Sequence, residues 1–121
     1  MSRIRGSGNK DTELALIAVF RKWHITGWRR HQALLGKPDF VFQVQRLVVF
    51  VDGCFWHGCT IHANIPKNNR RFWMRKIKSN KQRDRFVTQE LRKNRWRVLR
   101  IWEHELSRPD LVSARVRRAM K

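Results

Sequence analysis

The sequence predicts a mixed α/β domain with a central sheet flanked by helices, on three observations. Two short apolar runs, Phe40 to Val44 and Leu47 to Val51, read as a hairpin. A third strand-like run, Trp96 to Trp102, follows a long helical segment, Arg70 to Asn94. The pattern helix, β-meander, helix, strand, helix then brings one sheet together between helical layers.

The elements follow in order. Residues 1–10 are basic and contain Gly and Ser, which predicts a flexible arm. Asp11 or Thr12 caps a first helix, with Leu14, Ile17, Ala18 and Arg21 at helical spacing and an end near His24. Gly27 to Arg30 is a short strand, and Ala33 to Pro38 a loop. The hairpin strands meet at a tight turn, Gln45-Arg46. Residues 53–69 are irregular and need a metal or tight packing to be ordered. The helix from Arg70 has a partial apolar face of Trp73, Ile77, Phe86, Val87 and Leu91. Phe72, Trp73, Trp96 and Trp102 are expected in the core. Pro109 suits a helix start, and a last helix runs to the end. At 121 residues, 41% of them hydrophobic, the chain is long enough for one domain with a modest core.

Charge narrows the partner. There are 28 Lys and Arg against nine Asp and Glu, a net charge of +19. Such an excess points to a nucleic acid, bound by phosphate neutralisation, with an anionic membrane as the alternative acceptor. No apolar run approaches the ~18 residues of a membrane helix. The first residues lack the apolar core of a secretory signal. Two cysteines five apart with histidine nearby fit a metal site in a reducing, cytoplasmic location better than a disulfide.

The few acids are placed suggestively. Asp39 begins one hairpin strand and Asp52 ends the next, so an antiparallel pairing sets them side by side, both within reach of one ion. Mg2+ takes oxygen ligands, usually one or two carboxylates plus water. Such an ion polarises a phosphate and helps form hydroxide. Glu13, in the first turn of the first helix, is the third candidate; helix capping for Glu13 and a turn role for Asp39 are the plainer alternatives.

Cys54, Cys59 and His62 supply three metal ligands within nine residues, and His104 after the last strand is the best fourth for a closed tetrahedral Zn2+ site. His57 lies inside this cluster and is a candidate general acid or base. Phe55 and Trp56, on the same loop, are suited to stacking on bases or wedging between them, or else to roofing the core. Arg70, Arg71 and Lys76, on the basic helix, are candidates for tracking a phosphate backbone, and His31 for touching a phosphate.

The chain resembles the Vsr family, the very-short-patch-repair endonucleases. The likeness runs through Met1 to Gly6, Lys10-Asp11-Thr12, Gly36-Lys37-Pro38-Asp39, Gly53-Cys54-Phe55-Trp56-His57-Gly58, Phe72-Trp73, Arg83-Asp84, Trp96-Arg97-Val98-Leu99 and Trp102-Glu103, almost the whole chain. It implies a restriction-endonuclease-like core, a structural zinc and Mg2+-dependent nicking 5′ to the thymine of a T:G mismatch. By position it makes Asp39 the metal-binding aspartate, Glu13 the helix-one glutamate, His57 the catalytic-loop histidine, and Phe55 and Trp56 the mismatch wedge. Cys54 matches a zinc cysteine; Cys59 stands where histidine is frequent, His62 near the next cysteine, and His104 for the cysteine after Trp-Glu. Val51-Asp52 stands in place of Thr-His, which removes one catalytic histidine and supplies a second carboxylate, while Cys54 occupies the lysine position of the wider restriction-nuclease pattern. The resulting expectation is Mg2+ on Asp39 and Asp52, with the Val51 carbonyl adding a ligand. Water is oriented by Glu13, and a monomer cuts one strand, a dimer both. The alternatives are a Vsr-like nuclease of a restriction, defence or homing system, and an inert zinc-containing nucleic-acid-binding module.

Overall fold

A computed structural model of the chain describes residues 10–54 and 65–121. Helix α1 spans Lys10–Lys22, strand β1 Trp28–Arg30, β2 Phe40–Phe42, β3 Leu47–Asp52, helix α2 Arg70–Lys93, β4 Arg97–Trp102 and helix α3 Pro109–Met120. A 3-10 turn, Glu103–Ser107, joins β4 to α3 and was not expected from the sequence.

The sheet order is β1-β2-β3-β4. The first three strands form an antiparallel meander. β4 runs parallel to β3, and α2 is the crossover that a parallel pair requires. α1 and α3 cover one face. Leu16, Phe20, Val112 and Val116 pack there on Phe40, Phe42, Leu47, Val49 and Ile101. α2 covers the other, with Val87 and Leu91 on Val41, Val48 and Phe50. The alternation along β3 is what divides its side chains between two cores.

Several expectations need correction. In α1, Leu14, Ala18 and Arg21 are exposed, and the buried stripe is Glu13, Leu16, Ile17 and Phe20. Leu16 and Phe20, four apart, offer more apolar surface than the face marked by Leu14 and Ala18. In α2, Ile77, Asn80, Val87 and Leu91 are buried, whereas Phe86 and Phe72 are about half exposed, at 55% and 49%. Trp96 is in the core; Trp73 and Trp102 are only partly covered. The hairpin turn takes four residues, Gln43 to Arg46, with Arg46 in the left-handed region at φ 53°. β2 therefore ends at Phe42. Among the described residues no helix is long and apolar enough to cross a membrane.

Candidate active site

The site gathers where β2 and β3 meet α1 and α2. Asp39 is buried just ahead of β2. Its Oδ2 accepts a hydrogen bond from the Val51 N–H at 2.7 Å, which fixes the carboxylate across the hairpin. Burial pushes its pKa up from 3.8 to about 6; the Val51 N–H opposes that rise, and Glu13 and Asp52 add to it by like-charge repulsion. His31 pulls weakly the other way. A carboxylate is costly to ionise there because solvation lost on folding is not fully replaced.

Glu13 reaches the same region from the first turn of α1 and is 2% exposed. Its Oε1 accepts from Arg30 at 2.7 Å and lies 3.4 Å from His31 Nε2. Arg30 ends β1, and His31 follows it with φ 53°, a conformation that turns the chain at the strand end. The structure thus brings together Glu13, His31 and Asp39, three residues that the sequence singled out.

Asp52 is placed differently from the expected side-by-side pair. Phe40 pairs with Val49, so continuing that register sets Asp39 opposite Phe50, with Asp52 two residues further along. Both lie on the α2 side of the sheet, because they alternate with Phe40 and Val51. Asp52 is buried and bound by Arg100 of β4, whose Nη1 donates to Oδ1 at 2.9 Å and Oδ2 at 3.3 Å. Arg100 escaped the sequence reading. The signal was available in principle: in the parallel register Phe50 pairs with Arg100 and Asp52 with Trp102, so Arg100 sits one diagonal from Asp52 on the same face.

A pocket of about 290 Å3 opens beside these groups, with Asp39, Val51, Asp52 and Arg100 on one side and Gly36, Lys37, Arg83, Asp84 and Val87 on the other. Lys37 and Asp84 also went unremarked as site residues. A second groove, of about 350 Å3, continues from Asp52, Arg100 and Trp102 along α2 past Lys81, Arg85 and Arg92. Arg70, Arg71 and Lys76 are exposed on the first turns of the same helix and line neither opening.

The last strand does bring His104 to Cys54, as expected: Cys54 Sγ lies 3.3 Å from His104 Nδ1, and the Cys54 N–H donates to Glu103 Oε1 at 3.2 Å. Cys59, His62, His57, Phe55 and Trp56 lie outside the described residues, as does most of the 1–10 arm. Among the described residues no three His, Cys, Asp or Glu side chains converge as a finished metal site.

Three comparisons bear on this arrangement. The sequence model of a family described as DNA mismatch endonuclease Vsr matches residues 1–63. The type II nicking enzyme V.NaeI of Lentzea aerocolonigenes is 51% identical over 113 residues, covering 87% of this chain and 66% of that enzyme, just under two thirds. The type II nicking enzyme V.XorIIP of Xanthomonas oryzae pv. oryzae is 40% identical over 122 residues, covering 97% of this chain and 86% of that one. Among solved structures, the catalytic domain of the homing endonuclease I-Bth0305I superposes with a TM-score of 0.61 at 19% identity, over 89% of this chain and 91% of that one, which shows a common fold. A family match over more than half of the chain, running through Glu13, Asp39 and Cys54, makes this chain a member of the Vsr family of DNA endonucleases.

Proposed function

We propose that this domain nicks one strand of double-stranded DNA at a T:G mismatch, as in very short patch repair, in a Mg2+-dependent reaction. The observation that carries the reading is Asp39, a buried carboxylate with a pKa raised to about 6 beside Glu13 and Asp52, in a chain of net charge +19. Keeping scarce negative charge together out of water is unfavourable unless a cation offsets it.

The donors suit Mg2+. That ion prefers carboxylate oxygens, and one or two of them plus water suffice, so a complete protein cage is not required. Asp39 would hold it, with Asp52 and the Val51 carbonyl at its edge. When bound, it supplies charge to polarise the phosphate and favours hydroxide over water. This chain's own groups do the rest. Lys37 and Arg83, on the pocket wall, neutralise the phosphate. Glu13, anchored by Arg30, orients the attacking water together with His31. As the water oxygen bonds to phosphorus it sheds a proton to solvent, the P–O bond to the leaving oxygen breaks, and His57 donates a proton to that oxygen. Phe55 and Trp56 wedge at the mismatch. His31, Arg70, Arg71 and Lys76 add DNA contacts.

Cys54, Cys59, His62 and His104 would hold a structural Zn2+, which would supply a fixed anchor next to His57, Phe55 and Trp56 in the sequence. Two ligands of one tetrahedral zinc, at about 2.3 Å for sulfur and about 2.0 Å for nitrogen, lie within 4 Å of each other. The 3.3 Å spacing of Cys54 and His104 supports that pairing. One such centre cuts one strand, so the working unit is a monomer, cytoplasmic and carried on the nucleoid.

A second reading, a Vsr-like nuclease of a restriction, defence or homing system, draws on the two carboxylates Asp39 and Asp52 on one face of the sheet. Cleavage of labelled duplexes identical except for one T:G pair separates the two, with Asp39→Ala as the inactive control. Nicking of the mismatched duplex alone is expected. Equal cleavage of both duplexes would favour the second reading. Unchanged cleavage by Asp39→Ala would remove the proposed centre altogether.

A further inference from the structure

Arg100 is held more completely than any role in solvent requires. Its Nη1 forks onto both oxygens of Asp52, at 2.9 and 3.3 Å. Its Nε donates to Thr88 Oγ1 at 3.1 Å and its Nη2 to the Asp84 carbonyl at 3.3 Å, both on α2. Its guanidinium also stacks 4.2 Å from the centre of the Phe50 ring. Every nitrogen of the side chain is engaged, and only 23% of it is exposed. A guanidinium so committed is poorly placed to accept a phosphate. Its rigid fork is suited instead to fixing the orientation of a carboxylate.

The contacts also span the site. Asp52 ends β3, Arg100 lies in β4, and Asp84 and Thr88 belong to α2. Phe50, beneath the guanidinium, faces the Gly36 loop that leads into Asp39: a Cβ at Gly36 would stand 3.4 Å from the Phe50 ring. We infer that Arg100 is a positioning residue for the hydrolytic centre, setting the orientation of Asp52, moderating its charge toward a cation on Asp39, and tying that centre to the basic helix α2. The inference rests on the reading of Asp39 and Asp52 as the cation site.

The two consequences of removing Arg100 have opposite signs, and this makes the role testable. Without the guanidinium, Asp52 presents its full charge to a divalent cation but no longer holds its orientation. Mn2+ binding to the DNA-free protein, followed by calorimetry, is expected to tighten about fivefold in Arg100→Met, since an adjacent positive charge has gone. Nicking under saturating DNA and Mg2+ is expected to slow about tenfold or more. DNA affinity in Ca2+ should stay within about twofold, because the Arg100 donors face protein groups. In an Asp52→Asn background the same substitution should leave both Mn2+ affinity and residual nicking where Asp52→Asn alone puts them.

Mn2+ binding and nicking that weaken together in Arg100→Met would mean a general loss of structure and overturn the assignment. So would an undiminished effect in the Asp52→Asn background. If Arg100→Met loses its cooperative melt, Arg100→Lys carries the test, since it keeps the charge and loses the fork. Slower nicking at unchanged Mn2+ affinity is expected, and wild-type nicking would refute the positioning role. Asp39→Ala, run alongside, keeps the two readings apart: full activity there rejects the cation site itself, whatever Arg100 does.

Discussion

The Sγ of Cys54 stands 3.3 Å from Nδ1 of His104, across 50 residues of sequence. Their meeting follows from the parallel pairing of β3 and β4, which sets Asp52 opposite Trp102 and leaves each chain to continue two residues further on the same side. The proposed zinc site makes this pair half of a tetrahedral set. One zinc per chain is expected by elemental analysis of protein purified without chelator. Cys54→Ser should abolish it, and His104→Ala should lower both zinc content and melting temperature. Full zinc retention by His104→Ala at unchanged stability would exclude that histidine. Structural zinc contributes directly to folding free energy, so a chelator should lower the melting temperature of the wild type and leave Cys54→Ser unmoved.

Asp39 predicts an unusual pH dependence. Its folded pKa, about 6, lies above the unfolded value of 3.8, chiefly because burial desolvates the carboxylate. A raised pKa means that the folded chain holds the proton more tightly. The contribution to stability is fully present below 3.8 and is lost as pH rises through about 6. Asp39→Asn, which keeps an acceptor for the Val51 N–H, is therefore expected to be more stable than the wild type above pH 6 in metal-free buffer. The advantage should be on the order of 3 kcal/mol and should fade toward pH 4. Mg2+ should narrow the gap at pH 7 by stabilising the wild type alone. Denaturant melts of both proteins at several pH values decide it, and a constant gap would contradict the assigned shift.

Much of this was legible in the chain because local signals and tertiary demand agreed. The apolar run from Leu47 to Val51, the length of α2 and Pro109 at a helix start each named their element without help from elsewhere. Single residues picked out in the sequence do come together in space, Glu13 with His31 beside Asp39 and Cys54 with His104. What stayed hidden is pairwise. Register cannot be read from one strand, so Asp52 was expected beside Asp39, whereas it lies two residues further along. Arg100 looked like one more of 28 basic residues, although its partners select it. The exposed Leu14 and Phe86 mark the same limit, since a helix with several apolar stripes does not say which one the sheet will take.

Gly36 sits against Val87 of α2. A Cβ there would come within 2.5 Å of Val87 Cγ1, and the backbone has φ +78°, which side chains other than glycine's rarely adopt. Gly36→Ala should cost about 2–4 kcal/mol from overpacking and backbone strain together. The loop into Asp39 would shift with it, so nicking should fall further than the loss of folded protein explains. A smaller cost of Gly36→Ala in a Val87→Ala background would attribute the difference to the clash, leaving the strain as the remainder. Equal costs in both backgrounds would mean the loop escapes Val87 by another route.

Lys81, Arg85 and Arg92 line the groove that runs from Asp52 along α2, and all three are exposed. A duplex seated over the carboxylates would bring its phosphates past them. Such contacts position DNA without reading its sequence. Replacing Arg85 by Gln should therefore weaken matched and T:G duplexes by the same factor. It should also flatten the slope of log affinity against log salt by about 1, one released counterion fewer. Arg70, Arg71 and Lys76, on the same helix, line neither opening. Binding isotherms at four salt concentrations measure both effects. A loss confined to the mismatched duplex would move Arg85 from backbone contact to mismatch recognition, and an unchanged slope would take the groove out of the DNA path.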